Sequence, residues 1–194
     1  MTLHIDFTDF GDVVRDVRLE LPGVPDASIA DMAAMVVAEF CRETQAYREY
    51  LVLPAGLPSY DLIAPHSDAV IIGLASVEVG EQTLLPGEYQ LQSPDLIEFP
   101  QPLTKDARLL TVLCPLHDAK RAPATLMERW RQVIGIGVKA RFMLQPNLSW
   151  SNPSMGGEYR REFLQQSLAA AADVRNQFSV SRLSTTPYTM NVYY

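Results

Sequence analysis

The stretch Ser28-Ile29-Ala30-Asp31-Met32-Ala33-Ala34-Met35-Val36-Val37-Ala38-Glu39-Phe40 carries a clear helical pattern. Its apolar residues recur every three or four positions and fall on one face of a helix: Ile29, Met32, Ala33, Val36, Val37 and Phe40. Ser28 followed by Asp31 resembles a capping pair, with Asp in place of the preferred Glu. The pattern predicts a helix over residues 28–44.

Small residues lie on the other faces of this helix, at Ala30, Ala34 and Ala38. They would let a second helix approach closely, which suits either an internal core or a contact between subunits. We take all three as candidate subunit-interface residues.

On either side of this helix the pattern changes. Upstream, residues 8–17 predict a short helix that the segment 21–25 interrupts, because proline lacks an amide hydrogen and restricts the residue before it. Downstream, short β-prone runs alternate with prolines and glycines, which is typical of antiparallel strands joined by turns. The runs are Tyr47–Leu53, Tyr60–Ile63, Leu74–Val79, Glu88–Gln92, Leu96–Phe99 and Leu109–Cys114. Residues 74–80 and 82–86 are predicted to form a hairpin.

The helical period returns near residue 124 and predicts a helix over 124–143. Gly135 and Gly137 each cost this helix roughly 1 kcal/mol relative to alanine, which suggests that another backbone packs closely there. Gly135 is therefore a further subunit-interface candidate. Pro146 and Asn147 end the helix, and a last helix over 154–176 follows. One face of it carries Tyr159, Phe163, Ser167, Ala170 and Val174.

The order of these elements predicts an α+β fold, in which an α-helical bundle carries an inserted antiparallel β-rich subdomain. The predicted parts are residues 1–45 for the first helices, 46–116 for the β-rich subdomain, 117–176 for the last helices and 177–194 for an extended C-terminal arm.

The arm has almost no charge and no helical period, yet it contains four aromatic residues, Phe178, Tyr188, Tyr193 and Tyr194. Aromatic rings contribute strongly to interfaces, so this composition favours an arm that docks on a partner. The alternative is a terminal segment that orders nowhere.

The net charge of −7 argues against general binding to nucleic acid, which needs clustered Lys and Arg. Cys41 and Cys114 are far apart in apolar runs and are expected to be buried thiols. The first residues lack a basic region followed by an apolar run, and no apolar stretch approaches 18 residues. These features predict a soluble protein from a reducing cytoplasm, without a signal peptide or membrane span.

No motif assigns catalytic, cofactor-binding or metal-binding residues. The histidines His4, His66 and His117 do not have metal-ligand spacing, and Gly135-Ile136-Gly137 lies inside a helix rather than after a strand. His66-Ser67-Asp68 lacks the glycine-framed elbow of a hydrolase nucleophile. The Arg160-Arg161 pair is predicted to be a solvated helical face or to meet an acidic patch on a neighbouring subunit.

Several short sequence segments occur in the same order as in one class of virion proteins. These are Ala38-Glu39-Phe40-Cys41-Arg42-Glu43-Thr44, Tyr60-Asp61-Leu62-Ile63-Ala64-Pro65, a hairpin with Gly80, Leu84 and Tyr89, Ile97-Glu98-Phe99-Pro100-Gln101-Pro102, Leu113-Cys114-Pro115 with Asp118-Ala119, Pro123, Trp130 and Ile134, and Pro146-Asn147-Leu148-Ser149-Trp150-Ser151-Asn152-Pro153 leading to Phe163. Together they resemble the head-to-tail adaptor (connector, or tail-tubular-protein-A-like) family of short-tailed bacteriophages, over roughly residues 25–175.

The resemblance implies a helical bundle with a β-rich subdomain and a structural role in the virion neck, with no enzymatic activity and no cofactor. It implies a homo-oligomeric ring of about twelve subunits between the portal protein and the tail nozzle protein, contributing to the DNA conduit. In the family the C-terminal segment commonly docks on the portal, a role that falls here to residues 177–194.

Two other functions fit the same sequence. One is a different neck or tail-completion protein of a tailed phage, which would share the composition and the missing motifs. The other is a small hydrolase that uses His66 or His117.

Overall fold

The computed structural model describes residues 5–179 and has the predicted α+β fold. Four helices form over these residues: α1 (Gly11–Arg18), α2 (Asp26–Thr44), α3 (Ala124–Met143) and α4 (Pro153–Ser179). The strands are β1 (Phe7–Asp9), β2 (Arg48–Leu53), β3 (Ser59–Asp61), β4 (Ala69–Val79), β5 (Gln82–Thr83), β6 (Gln90–Ser93), β7 (Leu96–Glu98), β8 (Ala107–Pro115) and β9 (Arg121–Pro123).

Helix α2 buries the predicted apolar stripe, and Ile29, Val36 and Phe40 are fully inaccessible to solvent. The predicted capping pair is wrong. The helix begins at Asp26 after an extended Pro25 and has no side-chain cap, because Ser28 lies inside the first turn and not at the position before the helix. At the other end Gln45 takes the left-handed conformation, and its amide donates to the Cys41 carbonyl.

The main sheet has the strand order β2-β8-β4-β5, and all its pairs are antiparallel. Its centre is β8, in which every residue except Arg108 is buried. The predicted hairpin is confirmed, since Val79 pairs with Gln82 around a turn in which Gly80 has a φ of +64°. A second sheet has the order β3-β7-β6.

A third pairing joins β1 to β9, and the sequence patterns did not predict it. Thr8 lies opposite Ala122, and the amide of Ala124 donates to the carbonyl of Asp6. The start of the described chain is thereby tied to the first residue of α3.

One hydrophobic core runs through both the helices and the sheets. Phe40 and Ile134 from the helices and Leu109 and Ile97 from the strands all belong to it and are fully buried. The sheet meets the bundle directly at α2, where the Cys114 Sγ lies 3.4 Å from the Ala38 carbonyl oxygen. The β-rich part therefore shares a hydrophobic core with the helical bundle and does not form a separate core of its own.

Helix α4 is longer than predicted, which corrects the boundary of the arm. Gln177, Phe178 and Ser179 belong to the helix because the alanine run 169–172 favours it and the next proline is Pro187. The predicted docking residues Tyr188, Tyr193 and Tyr194 lie outside the described residues, as does the side chain of Phe178. Within residues 5–179, none of the helices combines the length and apolar content that crossing a bilayer requires.

Candidate interaction surfaces

Ion pairs brace the helices at three levels of the bundle. At the first, Arg131 of α3 reaches Asp12 and Asp16 of α1, at 3.2 and 3.1 Å. At the second, Glu20 accepts hydrogen bonds from Lys139 of α3 and Tyr159 of α4, at 2.8 and 2.7 Å.

The third level is the most buried, and its centre is Glu39. The Glu39 side chain is 19% exposed. Its two carboxylate oxygens form ion pairs with the guanidinium groups of Arg141 of α3, at 2.6 Å, and Arg160 of α4, at 2.7 Å. Burial opposes ionisation of this carboxyl group, but the hydrogen bonds from the two arginines outweigh it and lower the pKa of Glu39. Glu39 is therefore a charged anchor shared by α2, α3 and α4.

Three of the six predicted subunit-interface residues, Ala34, Ala38 and Gly135, are buried within the chain. Ala34 and Ala38 are 2% and 1% exposed, so their small side chains accommodate internal neighbours. Arg160 is engaged by Glu39 of the same chain. Ala34 and Ala38 therefore have an internal packing role instead. The Arg160 side chain is 36% exposed, Ala30 is partly accessible and Arg161 is exposed, so the interface roles of these three stay predictions.

The two glycines of α3 differ in their surroundings. A Cβ on Gly137 would lie 2.7 Å from Val36 Cγ1 and 2.8 Å from Phe163 Cδ2, so side chains of α2 and α4 occupy its space. A Cβ on Gly135 would meet nothing within 4 Å. Close internal packing thus accounts for Gly137. Gly135 is buried as well, with free space where a Cβ would lie, and its interface role stays a prediction.

His66 has acidic and aromatic neighbours. Its Nε2 lies 2.9 Å from Glu49 Oε1, which also accepts a hydrogen bond from the Tyr47 hydroxyl, and its ring packs edge-on against Phe7. The Ser67 hydroxyl is directed to Asp68 instead. In residues 5–179 no hydroxyl, thiol or carboxylate makes a well-directed hydrogen bond to His66 Nε2, although Glu49 lies at ion-pair distance, so the cluster does not form a nucleophile–base pair.

The other reactive side chains are similarly placed. His117 is exposed after β8, beside a hollow that Arg42, Glu43 and Arg141 also line. Cys41 and Cys114 are buried free thiols, as predicted, and burial raises the pKa of both. Across the described residues 5–179, no group of three His, Cys, Asp or Glu side chains is arranged to hold a metal ion.

Two exposed apolar surfaces were not predicted. The first is the α4 outer face, formed by Arg161, Leu164 and Leu168; the two leucines are 41% and 71% exposed. These three residues are spaced by three, four and seven positions and lie on one side of the helix, away from the buried Phe163 and Ser167. The signal was available in the sequence, because both leucines fall outside the core stripe.

The second surface lies on the outer strand of the main sheet. Tyr50 and Val52 of β2 are 45% and 60% exposed. The guanidinium carbon of Arg108 stands 3.8 Å from the centre of the Tyr50 ring, a cation–π contact across the two strands.

Comparison with known proteins adds no assignment: the chain matches no protein-family model, and no curated protein is significantly similar to it.

Proposed function

We propose that this chain is a head-to-tail adaptor of a tailed bacteriophage, a structural virion protein that forms a ring between the portal and the tail. The resemblance over residues 25–175 motivates the proposal. The α+β architecture agrees with it, since the helices form one bundle and the β-rich part lies between them in sequence.

The observation that carries the proposal is the α4 outer face. Leu168 is 71% exposed on a helix whose opposite side is fully packed, and Leu164 and Arg161 extend the same surface. A ring needs two different patches on each subunit, one of which meets the other on its neighbour. An apolar patch edged by a charged residue is the composition of such a contact.

The bracing of the bundle supports the same role. Glu39, Glu20 and Arg131 join the helices through ion pairs within the chain, so the outer face is presented on a helix that is held in place. A preorganised surface loses less entropy on assembly than a flexible one.

The test is the oligomeric state of the protein with its portal. Native mass measurement and electron micrographs are expected to show rings of about twelve subunits. A protein that stays monomeric in the presence of the portal would overturn the proposal, and a ring attached to a different neck component would favour the other virion role.

A pair of variants then tests the surface itself. Leu168→Arg is expected to abolish ring formation while changing the unfolding free energy by no more than about 0.5 kcal/mol, because the side chain is exposed. Leu85→Arg is the control, since Leu85 is 67% exposed and lies in the loop between β5 and β6, not on α4. Equal ring yields for the two variants would contradict a role for the α4 outer face.

A further inference from the structure

The outer edge of β2 is open in the described chain. Within residues 5–179, β2 pairs with β8 alone. The amide of Leu113 donates to the Tyr47 carbonyl at 2.8 Å, which fixes the phase of the antiparallel ladder. Because inward and outward pairs alternate along such a ladder, the N–H and C=O groups of Tyr50 and Val52 point away from β8.

The part of this edge beyond Glu49 has little protection against pairing. Sheet edges are commonly blunted by proline, by bulges or by charged side chains, and in β2 these are confined to Arg48 and Glu49 at the start of the strand. Instead its exposed side chains, Tyr50 and Val52, are aromatic and β-branched, types that pack well beside another strand.

The last described turn of α4 lies beside the start of this strand. A groove of about 250 Å³ is lined by Ala46 and Arg48 from the β2 side and by Trp130, Val174 and Gln177 from the helices. The last described turn of α4 therefore lies close to the start of β2, and fifteen residues follow Ser179.

The end of the sequence has the pattern of a strand. In Tyr188-Thr189-Met190-Asn191-Val192-Tyr193-Tyr194 the residues at 188, 190, 192 and 194 are apolar or aromatic and those at 189 and 191 are polar, while the aromatic Tyr193 departs from the alternation. The segment carries no charged side chain and no proline. Residues 180–187 can span about 26 Å when extended, which exceeds the ~20 Å length of a six-residue strand.

We propose that residues Tyr188–Tyr194 pair with the free edge of β2 in the same chain, as a fifth strand of the main sheet. The main-chain groups of Tyr50 and Val52 supply the hydrogen bonds, and their side chains flank those of the added strand. Attachment to α4 next to the groove favours pairing within the chain over pairing between chains, because a short linker gives a millimolar effective concentration. The inference stands without the proposed function; in an adaptor, the pairing would hold the arm on its own subunit before the portal arrives.

Hydrogen exchange of the full-length chain tests the pairing. The variant Met190→Pro/Asn191→Pro removes one amide hydrogen of each orientation, so it disrupts the strand in either register. We expect the amides of Tyr50 and Val52 to exchange at least about tenfold faster in this variant than in the unmodified chain. Ser184→Pro, in the linker, is the control and is expected to leave both amides slow. Equally fast exchange in all three proteins would overturn the proposal.

Cross-linking identifies the chain that supplies the strand. In Val52→Cys proteins, a second cysteine is placed in turn at each position from 188 to 194, and the native thiols Cys41 and Cys114 are buried. We expect disulfides within one chain, at alternate positions only and independent of protein concentration. Leu85→Cys in place of Val52→Cys is the control and should give none. Disulfide-linked dimers alone, or the absence of any cross-link, would overturn pairing within the chain.

Discussion

At the scale of single residues, small side chains and charges in the bundle have internal partners. Gly137 allows α2 and α4 to meet α3 with Val36 and Phe163 in contact with its backbone, whereas Gly135 is buried but has free space where a Cβ would lie. The same residue type in the same helix thus has different consequences, because the cost of an added methyl group depends on what already occupies its position.

Alanine substitutions at the two glycines separate these cases. Gly137→Ala is expected to lower the unfolding free energy by about 1–2 kcal/mol, since the clash outweighs the gain in helix propensity. Gly135→Ala is the matched control and should raise it by up to about 1 kcal/mol. Urea unfolding of both variants measures the difference. The reverse order would contradict the packing described for α3.

At the scale of elements, short side-chain contacts hold the connections between strands. Tyr60 of β3 is buried, and its hydroxyl donates to the Pro54 carbonyl at 2.5 Å while accepting from the Leu57 amide at 3.0 Å. This one group therefore fixes the turn between β2 and β3. The position of this turn determines where β3, the first strand of the second sheet, begins relative to β2 of the main sheet.

Removing that hydroxyl should loosen the turn without unfolding the protein. Tyr60→Phe is expected to cost about 1 kcal/mol of unfolding free energy and to speed exchange of the Leu57 amide. Tyr89→Phe is the control, because the Tyr89 hydroxyl makes no hydrogen bond within residues 5–179. An unchanged Leu57 amide in Tyr60→Phe would show that the backbone alone holds the turn.

At the scale of the whole molecule, a shared core and three levels of ion pairs hold the helices and sheets together. The carboxyl groups of Glu20 and Glu39 take part in these ion pairs, and the pKa of each lies below the ordinary value of 4.5. For Glu20 the lowering comes first from the Lys139 hydrogen bond and then from Tyr159, and that contact raises the pKa of Tyr159 to about 12. The free energy of unfolding should therefore change with pH in the acid range, where these two carboxyl groups become protonated.

The sign of that dependence follows from the lowered pKa values. A carboxyl group that is more acidic when folded contributes stability above its unfolded pKa and loses it as the pH falls through the folded pKa. We expect the unfolding free energy to decrease as the pH falls below about 4.5, and to decrease less in Glu39→Gln. Glu43→Gln, on the exposed side of α2, is the control. Parallel pH profiles for all three proteins would contradict the role of Glu39.

Much of the secondary structure could be predicted because it depends on local patterns. The stripe from Ile29 to Phe40 specified α2, and alternating runs with proline and glycine turns placed most strands within a few residues. The end of α4 was missed by three residues, since helix propensity in the alanine run continued beyond the apolar period. The short strand β1 has too few residues to carry a period.

The candidate surfaces were harder to predict. Ala34 and Ala38 were assigned to a subunit interface, and the structure buries them inside the chain. Leu168 could have been found because it falls outside the core stripe of α4, whereas Val52 lies in an ordinary apolar strand and only the packing of the sheet leaves it exposed. Whether a small or apolar side chain faces the core depends on the neighbouring elements, which a local pattern does not contain.

The sequence by itself determined the helices, most of the strands and their assembly into an α+β fold, because hydrophobic period and turn residues act over a few positions. Only the tertiary structure decided that β1 pairs with β9, that Glu39 lies between Arg141 and Arg160, and that no strand of residues 5–179 pairs with the outer edge of β2. The two contacts join residues that are a hundred or more positions apart, and the state of the β2 edge depends on where every other described strand lies. Such arrangements are selected by the packing of the whole chain.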